Sequence, residues 1–312
     1  MRIVFMGTPE YSVKTLDALI KAGHEVVGVY AQPDKPVGRK KILTPPPVKV
    51  YANENNIPVF QPNTLKDDAV FSELKALNPE LIVVVAYGKL LPENVLNLPK
   101  YGCINGHASI LPNYRGASPI QWCIVQGETE TGITIMYMDK GMDTGDIIEI
   151  ERVKIGDDET ADELFERLSF ISADLTVRTI EKILNGTAKR TPQCEQDASY
   201  APILTKDMAQ MDFTKTAKQL KCLVRGFYSW PCAYFYLDGK RVKVIKAEVA
   251  DISSSSEAGT VISSDGELLI ACGENSVLSL LEVQPEGSKP MNISVMLNGR
   301  KIPVGTKIVR VQ

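Results

Sequence analysis

Six short apolar runs, at residues 2–6, 25–31, 58–60, 81–86, 103–105 and 133–138, alternate with helical stretches through the first 150 residues, and this pattern narrows the fold more than any other. The runs are rich in valine and isoleucine and too short for helices, so they read as buried strands. Between them, residues 9–22, 48–55, 66–78 and 119–127 fit helices, several opened by proline or closed by glycine. Such alternation requires crossover connections, which produce a mainly parallel sheet with helices on its faces. The expectation is an α/β, Rossmann-like domain. A long amphipathic helix at 160–184 follows, introduced by Asp157, Asp158 and Glu159, whose charges suit a helix N-terminus.

The pattern breaks after Asn185-Gly186. Residues 188–207 are polar, contain two prolines and show little periodicity, as an interdomain linker would. One helix at 214–225 precedes runs at 233–237, 241–249, 259–262, 268–271, 277–283 and 306–311, a spacing that predicts a small OB-like β-barrel. Two domains are the default at 312 residues. We expect a first domain at 1–188, a linker at 189–207 and the barrel at 208–312. No apolar run approaches the roughly 20 residues that span a bilayer, and residues 1–7 read as a strand rather than a signal peptide. A cytoplasmic protein with no membrane partner is expected, and a monomer.

Residues 206–312 carry 14 Lys and Arg against 11 Asp and Glu, whereas residues 1–205 carry 21 against 27. A basic C-terminal part on an acidic body points to a polyanionic partner. The six cysteines are scattered without a C-x-x-C pair, so buried free thiols are expected and no metal. Gly7-Thr8-Pro9-Glu10 lacks the dinucleotide-binding glycine spacing, and neither a P-loop nor a Gly-x-Ser-x-Gly elbow occurs.

With only His24 and His107 in the chain, imidazole chemistry has few sites. His24 lies in a helix-to-strand turn. His107 stands two residues after Asn105 at the end of a strand, so both side chains leave the sheet on one side. A carboxamide such as Asn105 can donate to an oxygen gaining negative charge, and His107 can exchange a proton near neutral pH. Asp143, in a glycine-bracketed turn after a strand, can supply the carboxylate. The residue types alone leave a second reading open, in which Asn105 caps a turn, His107 is satisfied in the core and Asp143 or Asp146 nucleates an Asx-turn. The 36 positions between His107 and Asp143 prove no contact.

The run Asn105-Gly106-His107-Ala108-Ser109-Ile110-Leu111-Pro112-Asn113-Tyr114-Arg115-Gly116, with Asp143-Thr144-Gly145-Asp146 downstream, resembles the signature of formyltransferases that use 10-formyltetrahydrofolate. Gly7-Thr8-Pro9, the 32–39 loop, residues 84–88, 117–121 and 131–134 resemble the same superfamily, in the branch that acts on methionyl initiator tRNA. The resemblance implies transfer of the formyl group of 10-formyltetrahydrofolate to the methionyl α-amine. It implies catalytic roles for Asn105, His107 and Asp143, and a folate-contacting segment at Ser109, Ile110, Leu111 and Pro112. A pteridine cradle follows from the same likeness, made of Ala86, Tyr87, Gly88, Leu91, Asp139 and Gly141. Gly106 stands where that family more often has a branched apolar residue, and Ile110 replaces a common leucine.

Residues 34–49 form a long insert carrying Lys35, Arg39, Lys40, Lys41 and Lys49 among prolines and a glycine. A solvated charge run is the ordinary reading. By resemblance it is the segment that grips the tRNA acceptor arm, with Lys35, Arg39, Lys40 and Lys41 on phosphates, which makes binding salt-dependent. Formyltransferases acting on glycinamide ribonucleotide or on an amino-sugar nucleotide, a formyl-folate hydrolase, and a tRNA- or folate-binding module without activity are the competing readings. The residues after 205 have no purpose in the first, and the basic insert counts against the second.

Overall fold

The computed structural model describes residues 1–38 and 40–310. The chain forms two units by its contacts, one of residues 1–119, 130–154 and 165–202, the other of 120–129, 155–164 and 203–312.

In chain order the first stretch holds β1 (Arg2–Gly7), α1 (Glu10–Lys21), β2 (Glu25–Tyr30), β3 (Lys35–Val37), β4 (Ile42–Thr44), α2 (Pro47–Glu54), β5 (Val59–Phe60), α3 (Asp68–Ala76), β6 (Leu81–Val85), α4 (Glu93–Leu96), β7 (Cys103–His107) and β8 (Arg115–Gly116). It continues with α5 (Pro119–Val125), β9 (Glu130–Tyr137), β10 (Ile147–Lys154), α6 (Ala161–Leu184) and β11 (Tyr200–Ala201). Seven strands make one sheet in the order β10-β9-β7-β6-β1-β2-β5. Pairings from β7 through β5 are parallel, and β9 and β10 are antiparallel. All five residues of β6 are buried, as a continuous Leu-Ile-Val-Val-Val run in a sheet covered on both faces requires.

The chain winds outward from β1 to β2 and β5, then returns to the other side of β1 as β6. In sheets of this topology the ligand crevice lies at the carboxyl ends of the strands where the winding reverses, here those of β1 and β6. Val4, Met6, Ile82, Val84 and Cys103 face one apolar cluster with Tyr87 and Leu91. Asn105 and His107 share the Cys103 side by strand alternation. Gly106 faces the other way: a Cβ there would lie 3.0 Å from Ser172 Oγ of α6 and 3.5 Å from Ile135 Cδ1. Its missing side chain therefore belongs to the packing of α6 on the sheet and does not open the space between Asn105 and His107.

β10 is absent from the sequence expectation. Its helix-facing Glu149 meets Lys182 Nζ at 2.7 Å, Thr179 Oγ1 at 3.0 Å and Arg178 at 3.7 Å, so an edge strand packs through charge pairs that hydrophobic patterning cannot register. The basic insert also holds unexpected order, because β3 and β4 pair as an antiparallel hairpin. The expected linker belongs to the first unit as far as Pro202, mostly extended but with one 3-10 turn at Glu195–Asp197. Thr191 bridges Ile147, and β11 pairs with β8.

The second unit contains α7 (Ala217–Gly226), β12 (Tyr234–Leu237), β13 (Lys240–Val249), β14 (Val261–Ser263), β15 (Leu268–Ala271), β16 (Val277–Pro285), β17 (Met291–Asn292) and α8 (Ile293–Gly299). Its antiparallel sheet runs β12-β13-β16-β15-β14, with β17 on β16. Thr216 and Gln219 close a capping box on α7, whose Ala217, Leu220 and Val224 enter one core with Phe235, Val244, Leu268 and Leu280. The strand expected at 306–311 reduces to a bridge from Lys307 to Thr260, and Val311 lies outside the described residues. α8 was not expected.

Candidate active site

β7 carries Asn105 and His107 to the sheet's edge, and the 138–146 loop returns over them with Asp143. Asn105 Nδ2 donates to Asp143 Oδ1 at 3.3 Å. His107 Nδ1 lies 3.6 Å from Asp143 Oδ2, which also accepts the Gly116 N–H at 2.8 Å. His107 Nε2 is 2.9 Å from the Tyr114 carbonyl. A carbonyl only accepts, so Nε2 donates to it, and Nδ1 is the ring nitrogen that faces Asp143. The three side chains that sequence alone could not connect thus form one contiguous set.

Several residues outside the expected set hold this geometry. Gly116 has φ +114, and a Cβ there would lie 2.9 Å from the Ala201 carbonyl, so only glycine brings its N–H to Asp143. Arg115, 1% exposed, donates to Gln193 Oε1 from Nε (3.1 Å) and an Nη (3.0 Å) and pairs with Glu195 at 2.8 Å. Gln193 lies in the expected linker, where no periodicity or motif marks it. Arg115 stood inside the quoted signature without a role.

Ser109 and Leu111 are buried, while Ile110 and Pro112 keep exposed surface. Ser109 Oγ donates to the Asn113 carbonyl at 2.6 Å, and Thr134 Oγ1 ties the segment to β9 through Ser109 O (2.7 Å) and the Leu111 N–H (3.1 Å). At the crevice, Ala86 and Gly88 are exposed with φ of 47° and 82°. Tyr87 is buried, and burial pushes its phenol up to about 12. Its carbonyl accepts from Thr8 Oγ1 (3.1 Å) and Gln32 Nε2 (3.0 Å). Leu91 is buried in the neighbouring core. Asp139 accepts from the Gly141 N–H at 2.9 Å and from Thr144 at 2.5 Å, closing the turn beside Asp143.

Lys35, Lys40 and Lys41 are exposed on the β3–β4 hairpin, and Arg39 lies outside the described residues. Lys49, also expected as part of the basic insert, is occupied: its Nζ contacts both Asp34 oxygens at 2.9 Å and Gln61 Oε1 at 2.7 Å. Hydrogen bonding from Gln61 and then Lys49 holds the Asp34 carboxyl below its usual range. Gln61 Nε2 passes on to the Gln32 carbonyl at 2.8 Å, so the hairpin's base is tied to the crevice. Among the described residues no group of three or more His, Cys, Asp and Glu side chains is arranged to hold a metal.

The formyl transferase family model matches residues 1–180, and that of the formyl transferase C-terminal domain matches residues 203–301. Fold and site together therefore define a two-domain formyl transferase. Two solved structures share the fold. One is the N-formyltransferase of Helicobacter canadensis in complex with folinic acid and dTDP-3-aminofucose (TM-score 0.69, 20% identity, 91% of this chain and 98% of that one). The other is a sugar 3N-formyl transferase with dTDP and 5-N-formyl-THF (TM-score 0.66, 20% identity, 93% and 99%). The methionyl-tRNA formyltransferase of Caldanaerobacter subterraneus subsp. tengcongensis is 47% identical over 98% of this chain and 99% of its own. That of Alkaliphilus oremlandii is 47% identical over 98% of both, and that of Bacillus thuringiensis 41% identical over 99% and 98%. At this identity and coverage, the chain belongs to the methionyl-tRNA formyltransferase family.

Proposed function

We propose that the site of Asn105, His107 and Asp143 transfers the formyl group of 10-formyltetrahydrofolate to the α-amine of methionine esterified to initiator tRNA. The carrying observation is the convergence of the carboxamide and the imidazole on one carboxylate, at 3.3 and 3.6 Å. The bound folate supplies a formyl group activated on an aryl nitrogen. A flat heterocycle with donors and acceptors along its edge fits the exposed backbone at Ala86 and Gly88 and the Asp139–Gly141 turn, with Tyr87 and Leu91 fixing that segment from the core. Ile110 and Pro112 present apolar surface to it, and Ser109 and Leu111 hold them from behind.

Asn105 keeps one amide N–H beyond the one given to Asp143, and that donor meets the formyl oxygen as charge develops. One well-placed donor of this kind contributes about 3 kcal/mol. Asp143 and the Nδ1 side of His107 form the acceptor for the proton lost by the attacking amine, because Nε2–H is held by the Tyr114 carbonyl. Protonated at Nδ1, His107 stands against the Asp143 carboxylate, which stabilises it.

Lys35, Arg39, Lys40 and Lys41 contact tRNA phosphates from the hairpin. Residues 1–188 carry out the chemistry, 189–207 connect, and 208–312 face the tRNA. The enzyme works as a cytoplasmic monomer, which suits its six free thiols, five of them buried. No helix among the described residues is long and apolar enough to cross a membrane.

The test is formylation of methionyl initiator tRNA beside amino-sugar nucleotide and water-only controls, with Arg39→Ala included. Rapid formylation weakened by salt and by Arg39→Ala is expected. Transfer to the amino sugar alone, or formate release alone, overturns the acceptor.

A further inference from the structure

Asp143 sits in a left-handed turn (φ 56), a conformation that an aspartate adopts at some cost and that neighbouring groups must hold. One side chain outside the catalytic set grips the backbone on both sides of that turn. Gln193 Nε2 donates to the Asp143 carbonyl at 2.8 Å and to the Gly145 carbonyl at 2.8 Å. Its Oε1 accepts the two Arg115 N–H groups at 3.1 and 3.0 Å. The amide orientation is settled by chemistry, since carbonyls only accept and guanidinium groups only donate. Both amide hydrogens are used, and Arg115 is buried and anchored on Glu195.

On the other side the loop is pressed against β9. A Cβ on Gly145 would lie 1.8 Å from the Tyr137 carbonyl, and the Tyr137 N–H donates to the Asp146 carbonyl at 2.9 Å. The Asp143 backbone is therefore clamped between β9 and the Gln193–Arg115 pair. Its carboxylate is left to meet Asn105, His107 and the Gly116 N–H.

We propose that Gln193 is a positioning residue for the formyl transfer, acting through the backbone of Asp143 from a segment that follows the long helix α6. The proposal rests on the reading of Asp143 as part of the catalytic set. Its consequence is kinetic rather than general. A carboxylate displaced by an ångström loses alignment with the attacking amine while folate and tRNA contacts elsewhere persist.

The experiment compares Gln193→Met and Gln193→Glu with the parent, each alone and combined with Asp143→Asn, by steady-state kinetics on methionyl initiator tRNA and by thermal unfolding. Gln193→Met keeps the length and loses both the donors and the Arg115 acceptor. Gln193→Glu keeps the Arg115 pairing, loses the donors and sets a carboxylate oxygen against the Asp143 and Gly145 carbonyls. Both are expected to lower kcat by about 10- to 100-fold, with KM for folate and tRNA within about twofold and little further loss once Asp143 is already asparagine. Normal turnover in Gln193→Met beside a slow Asp143→Asn overturns the clamp and leaves the catalytic reading standing. An equal factor lost in both backgrounds also overturns it, since the effect then does not pass through Asp143. Normal turnover in Asp143→Asn overturns the catalytic reading itself, and the clamp with it. If Gln193→Met melts below the assay temperature, Gln193→Glu decides alone.

Discussion

Replacing Asp143 by asparagine removes one charge while keeping size and an acceptor for the Gly116 N–H. The carboxylate stands 3.6 Å from His107 Nδ1, with side chains only 14% and 7% exposed. Two unit charges at that separation attract by about 1 kcal/mol at the dielectric of water and about 5 kcal/mol at an effective dielectric of 20. Burial places this pair toward the upper figure, so His107 loses most of its support once it takes up the amine's proton. The expected loss in single-turnover formylation is roughly tenfold to a thousandfold. KM for both substrates should stay within a few-fold, because neither binding surface contains the missing charge. Quench-flow with radiolabelled methionyl-tRNA reads the chemical step directly. A single-turnover rate within threefold of the parent would refute the electrostatic coupling of His107 to Asp143 and leave proton acceptance to solvent.

Gly106→Val should destabilise the protein by about 1–3 kcal/mol, because even a Cβ would lie 3.0 Å from Ser172 Oγ. Urea unfolding checks this, with Ser172→Gly expected to restore part of the loss. Replacing Lys40 and Lys41 with alanine should reduce the slope of log affinity for tRNA against log salt by about one per lost phosphate contact, with turnover at saturating tRNA unchanged; an unaltered slope removes those lysines from the interface. Burial pushes the Cys103 thiol up to about 12. The unfolded chain therefore releases that proton first as pH rises, and stability is complete below the ordinary thiol range and falls toward pH 12. Cys103→Ala should flatten the alkaline stability curve by up to about 1.4 kcal/mol per pH unit, read from urea midpoints between pH 8.5 and 11.

The sheet domain was legible because its strands are continuous apolar runs of fixed length, and α1, α3 and α6 bring their own stop and start chemistry, such as Asp67 capping α3 at the Ala69 N–H. β10 escaped because its inward residues are glutamates matched to basic residues of α6, a pairing visible only once helix and strand are side by side. The β3–β4 hairpin escaped for a related reason. Its residues are exposed on both strands, so no apolar face reveals a period of two.

For the site, the chain's own residues offered Asn105, His107 and Asp143 as candidates, and strand alternation put the first two on one side. Residue types alone left a turn-and-core reading open, and the catalytic assignment came from the family resemblance. Local patterning is a property of short windows, and it carries strand, helix and facing that far. Which carbonyl pins His107, which N–H meets Asp143 and which distant amide holds the turn are matters of loop closure across tens of residues. Only tertiary structure decided them, because a hydrogen bond between Gln193 and Asp143 depends on where two loops end in space, and no window of sequence contains that distance.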